Sequence, residues 1–179
     1  MLTITIPARE LYDEKNQMFF NTKEQTLRLE HSLVSISKWE SKWRKAFLKK
    51  DEKTNEEIID YIKCMTITQN VDPNVYNFLT RSNINEIIEY IDNPMTATTF
   101  ANNENNNSRE VITSELIYYW MISFNIPMEC QRWHLNRLLT LIRICSIKNT
   151  PPKKMNKREV ANRYAKLNAA RRNKMNSKG

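Results

Sequence analysis

The fold is decided by residues 113–146, which read TSELIYYWMISFNIPMECQRWHLNRLLTLIRICS and form the most apolar part of the chain. Thr113 begins a helical pattern whose large side chains leave little polar face, and this predicts a buried helix. Pro127 restarts the chain at the first position of a second helix, which is again apolar on more than one side. We expect the core to be centred on Trp120, Phe124, Leu135, Leu138 and Ile142.

Helical patterns also precede this stretch. From Ser32 onwards, apolar residues recur every three or four positions, which is the spacing of one helix face. Thr54 and Glu57 predict a capping box. In it the threonine hydroxyl accepts a hydrogen bond from the backbone N–H of the third helical residue, and the glutamate side chain accepts one from the backbone N–H of Thr54. A short turn of helix is predicted to start at Asp72–Pro73, and Ser82 or Asn83 is expected to cap a further helix.

The chain begins with a β-rich pattern. Residues 2–6 alternate leucine and isoleucine with threonine, which is the period of a strand. Polar residues 13–16 are expected to turn the chain, and residues 18–20 to return it as a hairpin. Residues 26–30 alternate again and favour a short third strand, although a helix running on from Lys23 competes with it.

Together these patterns predict a mainly α fold with a small N-terminal β-hairpin, an α+β class. We expect a compact globular domain over residues 1–149, with a β-rich start at 1–30 and a helical body at 32–147. The sequence Asn149-Thr150-Pro151-Pro152 marks its end, because proline stops a preceding helix and stiffens the junction. Residues 150–179 are predicted to form a mobile, basic, helical tail.

The net charge of +8 is concentrated in this tail. Residues 148–179 hold 11 Lys or Arg against one acid, whereas residues 1–147 hold 17 bases and 19 acids. Such a tail binds nucleic acid, docks on an acidic partner or solvates a terminus. Val160, Tyr164 and Leu167 add a thin apolar stripe at i, i+4 and i+7, so partner-helix docking and membrane contact also stay open.

The shortage of glycine excludes the usual nucleotide enzymes. The chain has one glycine, Gly179, whereas a P-loop, a dinucleotide-binding fingerprint and a nucleophile elbow each need several. Cys64, Cys130 and Cys145 lack the paired spacing of a zinc site and are expected to be reduced core thiols. The N-terminus has no signal-peptide pattern, and no run of about 18 apolar residues is present to span a membrane.

The titratable residues do not combine into a catalytic or metal site. Glu129 and His134 are five positions apart, on different helical faces, and no third group orients them. Glu56, Glu57 and Asp60 lie at the start of a helix, where carboxylates offset the helix dipole. We therefore predict no enzyme activity, no cofactor and no metal.

Aromatic and basic residues are the candidates for partner binding. Trp39 and Trp43 stand among Lys38, Lys42 and Arg44, a pattern that binders of single-stranded nucleic acid use for stacking. Tryptophans four positions apart on an apolar stripe are also typical of core packing. The candidate partner-binding residues are Trp39, Trp43, Trp120, Trp133, Tyr164, Lys153, Lys154, Arg158, Arg163, Arg171 and Arg172.

Several long, tryptophan-rich stretches carry a resemblance that spans most of the chain. They are LEHSLVSISKWESKW at 29–43, YIKCMT at 61–66, PMTAT at 94–98, YYWM at 118–121, WHLNRLLTLI at 133–142 and PPKKM at 151–155. With these stretches the chain resembles tail assembly chaperones of long-tailed, siphovirus-like bacteriophages and prophages.

The resemblance implies a non-enzymatic role in virion assembly. Tail assembly chaperones bind the tape measure protein, a very long helical chain, and keep it soluble while tail-tube subunits polymerise around it. Many are also made in a longer form by a ribosomal frameshift near the end of the first reading frame. The implied partners are the tape measure protein, the major tail tube protein and a second copy of the chain. The implied location is the cytoplasm of the bacterial host, with no copy in the mature virion.

Two other functions stay open. The first is a phage nucleic-acid-binding or regulatory protein that uses the basic tail on phosphates, with an affinity that falls steeply with salt. The second is a structural component of the head–tail connector, which would remain in purified particles.

Overall fold

The computed structural model describes residues 1–13, 18–100, 111–151 and 156–175. Its strands are β1 (Leu2–Ile6), β2 (Arg9–Asp13), β3 (Met18–Thr22) and β4 (Gln25–Leu29). Its α-helices are α1 (Leu33–Trp43), α2 (Asn55–Met65), α3 (Arg81–Asp92), α4 (Ser114–Ser123), α5 (Leu135–Asn149) and α6 (Lys157–Met175). Short 3-10 helices cover Pro73–Phe78 and Met128–Arg132. The predicted class, mainly α with a small N-terminal β element, is confirmed.

The strands form two antiparallel pairs, β1 with β4 and β2 with β3. In the first pair Ile4 lies opposite Leu27, and both side chains are buried while the threonines beside Ile4 face solvent. Directly opposed residues point to the same face, so the two apolar faces coincide. This matching explains why β1 pairs with β4. The sequence pattern predicted instead that residues 2–6 pair with residues 18–20, and that pairing is wrong.

The strand predicted at residues 26–30 is confirmed, and the competing helix from Lys23 is wrong. The strand at residues 18–20 is also present, but it pairs with β2. Of the predicted turn at 13–16, residues 14–16 lie outside the described residues.

Side-chain caps fix most helix starts where the sequence placed them. Ser32 caps α1, Thr113 caps α4, and Thr54 with Glu57 forms the predicted capping box of α2. For α3 the predicted cap at Ser82 or Asn83 is wrong. Thr80 is the cap, and Asn83 is the third helical residue that completes the box. The sequence pattern does not predict this box, because asparagine stands at the third helical position in place of the usual glutamate or glutamine.

The helix predicted to run on from Pro127 is interrupted. Residues 128–132 form a 3-10 turn, and α5 begins only at Leu135. The backbone N–H of Leu135 donates to the carbonyl of His31 at 2.7 Å, and Ser32 pairs with His134 in an isolated β-bridge. Because this extended pairing needs β-type dihedrals at residue 134, a continuous helix through it is impossible.

The core is wider than the sequence indicated. Leu135, Leu138 and Ile142 are buried as expected, but Trp120 and Phe124 are only partly buried. The side chains that replace them at the centre come from the β1–β4 pair and from α1. The least exposed of these are Ile6, Leu27, Leu29, Leu33, Ile36 and Trp39.

The chain divides into two compact units, residues 1–146 and 147–179. The division falls within α5, slightly before the boundary that the sequence places at residues 149 and 150. The second unit contains α6, and among its described helical side chains Val160 alone is partly buried. Within this unit, α6 therefore stands as a helix with little apolar packing of its own.

Candidate partner-binding surface

Trp39 is a core residue, which corrects its assignment to partner binding. Its side chain is 1% exposed, and its indole N–H donates to the carbonyl of Glu57 at 2.9 Å. The ring also meets the edge of Phe47, with the two ring centroids 5.2 Å apart. A partner reaches this side chain only if α1 separates from α2, so Trp39 belongs to the packing of these two helices.

Trp43 is partly buried and is held by the same helix pair. Its indole N–H donates to Asp60 Oδ2 at 2.9 Å, while Lys42 forms an ion pair with the other oxygen of that carboxylate. Burial by itself would raise the pKa of Asp60, but the hydrogen bonds from Lys42 and Trp43 outweigh it and hold the pKa below its ordinary value. Trp39, Lys42 and Trp43 therefore join α1 to α2.

Two buried glutamates complete this junction. The carboxylate of Glu57 is 2.5 Å from the Lys45 ammonium and accepts the backbone N–H of Thr54, and these contacts lower its pKa. One carboxylate oxygen of Glu40 accepts a hydrogen bond from the N–H of Phe47 at 2.8 Å, and the other accepts one from the N–H of Ser114 at 2.7 Å. Glu40 thereby ties α1 to the first turn of α4, where the helix dipole favours a negative charge.

Helix α4 is not buried on all sides, contrary to the sequence interpretation. Ile117 and Met121 are fully buried, whereas Tyr119 is 63% exposed and Ile122 is 66% exposed. At 100° per residue these two pairs lie on opposite sides of the helix. Tyr119 and Ile122 are i and i+3 neighbours, and we call them the α4 outer face. Trp120 lies about 100° further round the helix than Tyr119, and its side chain is partly buried.

Trp133 is the fourth tryptophan and is partly buried. The guanidinium of Arg137, in the first turn of α5, lies 4.2 Å from the centroid of the Trp133 ring in a cation–π contact. Trp120 and Trp133 thus keep some surface, and their predicted role in partner binding stays a prediction.

The candidate residues in the tail are exposed on α6 where the structure describes them. Tyr164 is 63% exposed, and Arg158, Arg163, Arg171 and Arg172 are exposed as well. Lys153 and Lys154 lie outside the described residues.

The two histidines are brought together in the core, which the sequence did not indicate. The ring centroids of His31 and His134 are 5.1 Å apart, and both side chains are buried. His31 Nδ1 is hydrogen-bonded to the Tyr61 hydroxyl at 2.5 Å, and the Tyr90 hydroxyl donates to Glu30 at 2.5 Å. No local signal predicts this cluster, because the two histidines follow different elements and meet only through the Ser32–His134 bridge.

The hydrogen bonds assign the tautomer of His134. Its Nε2 lies 2.9 Å from the carbonyl oxygen of Tyr90, so Nε2 carries the proton. Nδ1 is then a buried acceptor, with no partner in the part of the chain that the structure describes. Burial lowers the pKa of His31 to about 3, helped by the neighbouring His134, and burial also lowers the pKa of His134. Both imidazoles are therefore neutral near pH 7.

An open cleft between the end of α1 and the start of α4 has a volume of about 190 Å³. It is lined by Glu40, Arg44, Lys45, Ala46, Thr113 and Glu115 and is smaller than the roughly 300–1,000 Å³ typical of ligand pockets. Within the described ranges, no three His, Cys, Asp or Glu side chains are arranged to hold a metal ion. None of the helices in these ranges combines the length and hydropathy needed to cross a membrane.

Comparison with protein-family models, with curated proteins and with solved structures found no match to this chain.

Proposed function

We propose that this chain is a non-enzymatic tail assembly chaperone of a long-tailed bacteriophage. It binds the tape measure protein in the cytoplasm of the bacterial host, supports tail-tube assembly and leaves before the virion is complete. The observation that supports this proposal best is the α4 outer face, where two large apolar side chains are more than 60% exposed on a rigid helix. The resemblance in residues 118–121 and 133–142 covers the same part of the chain.

The geometry of α4 suits a helical partner. Ile117 and Met121 fix the inner side of the helix in the core, so the outer face is held in place before binding. An amphipathic partner helix presents apolar residues at i, i+3 and i+4, the spacing that Tyr119 and Ile122 themselves follow. Covering both side chains would contribute about 2–4 kcal/mol by area, before the costs of association are subtracted.

The test is co-expression with the tape measure protein. The double variant Tyr119→Ser/Ile122→Ser is expected to leave the fold intact and to lower the soluble fraction of the tape measure protein. The matched control is Ile67→Ser/Ile88→Ser, which removes two side chains that are 47% and 51% exposed elsewhere on the same unit. A chain extended by the frameshifted reading frame is tested beside the short form.

The outcomes separate the functions. If neither the short nor the extended chain keeps the tape measure protein soluble, the chaperone proposal is wrong. If both double variants reduce solubility equally, the α4 outer face is not the binding site. Mass spectrometry of purified virions distinguishes a chaperone, which is absent from them, from a connector component, which is present.

A further inference from the structure

Helix α6 carries positive charge around its whole circumference. Over 19 residues it has seven bases against one acid, Glu159. At 100° per residue the bases point in every direction around the axis, and all of them are exposed. They are Lys157, Arg158, Arg163, Lys166, Arg171, Arg172 and Lys174.

One face of α6 is made of small and polar side chains. Asn162, Ala165, Ala169 and Asn173 follow at i, i+3, i+7 and i+11, and all four are exposed. We call these four residues the Asn/Ala face. The wheel places Arg172 and Lys166 along its two edges, so the short side chains of this face are bordered by cations on both sides. A backbone bearing such a face can approach a polyanion closely.

The opposite face is a poor membrane or groove anchor. Val160, Tyr164 and Leu167 occupy three successive positions of a stripe, but the next position is Arg171. Membrane-surface helices place their cations on one side and a wide apolar face on the other. Contact between either side of α6 and an apolar surface would remove water from charged lysine and arginine side chains.

From this arrangement we infer that α6 binds duplex DNA by lying in the major groove with the Asn/Ala face towards the base edges. The B-form major groove is about 12 Å wide and admits a helix about 10–12 Å across. Phosphates flank the groove on both walls, which matches cations on both sides of the helix. Asparagine can pair with the adenine edge, and alanine can contact the thymine methyl group. This activity belongs to the second unit and does not depend on the α4 outer face.

The test measures binding of the full chain to a labelled DNA duplex of about 20 base pairs by fluorescence anisotropy, between about 50 and 200 mM salt. If about five phosphates are neutralised, affinity should fall by about 10²–10³-fold over this range. The charge variant is Arg158→Gln/Arg163→Gln/Arg171→Gln/Arg172→Gln, and glutamine keeps helix propensity close to that of arginine. The control Lys23→Gln/Lys38→Gln/Lys50→Gln/Arg81→Gln removes the same charge from exposed sites in the first unit.

A second variant tests the groove geometry without changing the charge. Ala165→Leu/Ala169→Leu keeps a good helix former but fills the Asn/Ala face, so affinity for the duplex should drop by about tenfold or more. Equal binding to single-stranded DNA or to duplex RNA, whose major groove is too narrow for side-chain readout, would reject insertion in the groove.

Three further outcomes would overturn the inference. One is the absence of duplex binding at the lowest salt, and another is an equal loss in the charge variant and its control. The third is tighter binding to vesicles of anionic lipid than to DNA. Loss of binding confined to the charge variant and the leucine variant supports it. Failure here leaves the chaperone proposal standing, because the co-expression test changes only residues of the first unit.

Discussion

Four residues other than glycine adopt left-handed backbone conformations in the described part of the chain. They are Arg44, Asn70, Met95 and Asn125. Arg44 ends α1 with φ of 53°, and its N–H donates to the carbonyl of Glu40 at 2.7 Å. Glycine is the usual residue at such a helix end because it has no Cβ to clash. Because an arginine occupies this position, the folded chain carries a conformational cost that a glycine would remove.

Arg44→Gly is expected to raise the free energy of unfolding by about 0.5–1 kcal/mol, since it relieves the left-handed strain. Urea denaturation of the variant and the parent measures this change. Arg44→Ala is the control, because it removes the same side chain but keeps Cβ. Equal stability of the two variants would show that the backbone at this position carries no strain.

The lowered pKa of His31 predicts that the protein becomes less stable in acid. His31 is neutral in the folded protein down to about pH 3, but in the unfolded chain it takes up a proton near its ordinary pKa of 6.5. Between these values the unfolded chain binds more protons, so the free energy of unfolding falls as the pH is lowered. The slope contributed by one such histidine approaches about 1.4 kcal/mol per pH unit.

Chemical denaturation at several pH values between about 5 and 7 checks this prediction, because the ordinary pKa of histidine lies in that window. His31→Gln does not titrate and can still bond to Tyr61, so its stability should depend less on pH than that of the parent. An unchanged slope would mean that His31 is protonated in the folded state.

At the scale of elements, single buried carboxylates connect helices. Glu40 is the example: from α1, one oxygen accepts from the backbone N–H of Phe47 in the segment after this helix, and the other accepts from the N–H of Ser114 at the start of α4. Glu40→Ala leaves both donors, one buried and one partly buried, without this acceptor and should cost about 2–4 kcal/mol. Glu40→Gln keeps one amide oxygen and should cost less. Thermal unfolding of the two variants tests this order, and equal costs would contradict it.

Helix α5 contributes Leu135, Leu138 and Ile142 to the core. Leu138 is fully buried, and Leu138→Ala should destabilise the protein by about 2–5 kcal/mol through lost burial and a cavity. Leu139, its partly buried neighbour, gives the control Leu139→Ala with a smaller cost. A change below about 0.5 kcal/mol at Leu138 would place that side of α5 outside the core.

At the scale of the whole molecule, the two units differ in charge and in packing. Removing residues 150–179 keeps α5 complete and leaves 18 bases and 19 acids, a nearly neutral chain. We expect the remaining 149 residues to unfold cooperatively, within about 0.5 kcal/mol of the full chain. Circular dichroism with urea denaturation measures this.

The control for this truncation ends at residue 138 and removes residues 139–149 of α5, including the buried Ile142. It should lose cooperative unfolding. If the chain of residues 1–149 loses it as well, the tail is needed for folding and the two-unit description is wrong.

The sequence by itself determined the local features of this protein. It placed the capping box at Thr54, the helix starts at Ser32 and Thr113, the strands at residues 2–6, 18–20 and 26–30, and the charge of the tail. Each of these depends on residues within about four positions of one another, or on composition alone, so a pattern in the sequence records it directly.

Only the tertiary structure decided which distant residues meet. It paired β1 with β4, delayed the start of α5 to Leu135, and turned Tyr119 and Ile122 of α4 outwards. It also buried Trp39 and placed His31 against His134. These outcomes depend on which apolar faces cover each other and where backbone hydrogen bonds are satisfied between segments far apart in the chain, and a local pattern does not carry that information.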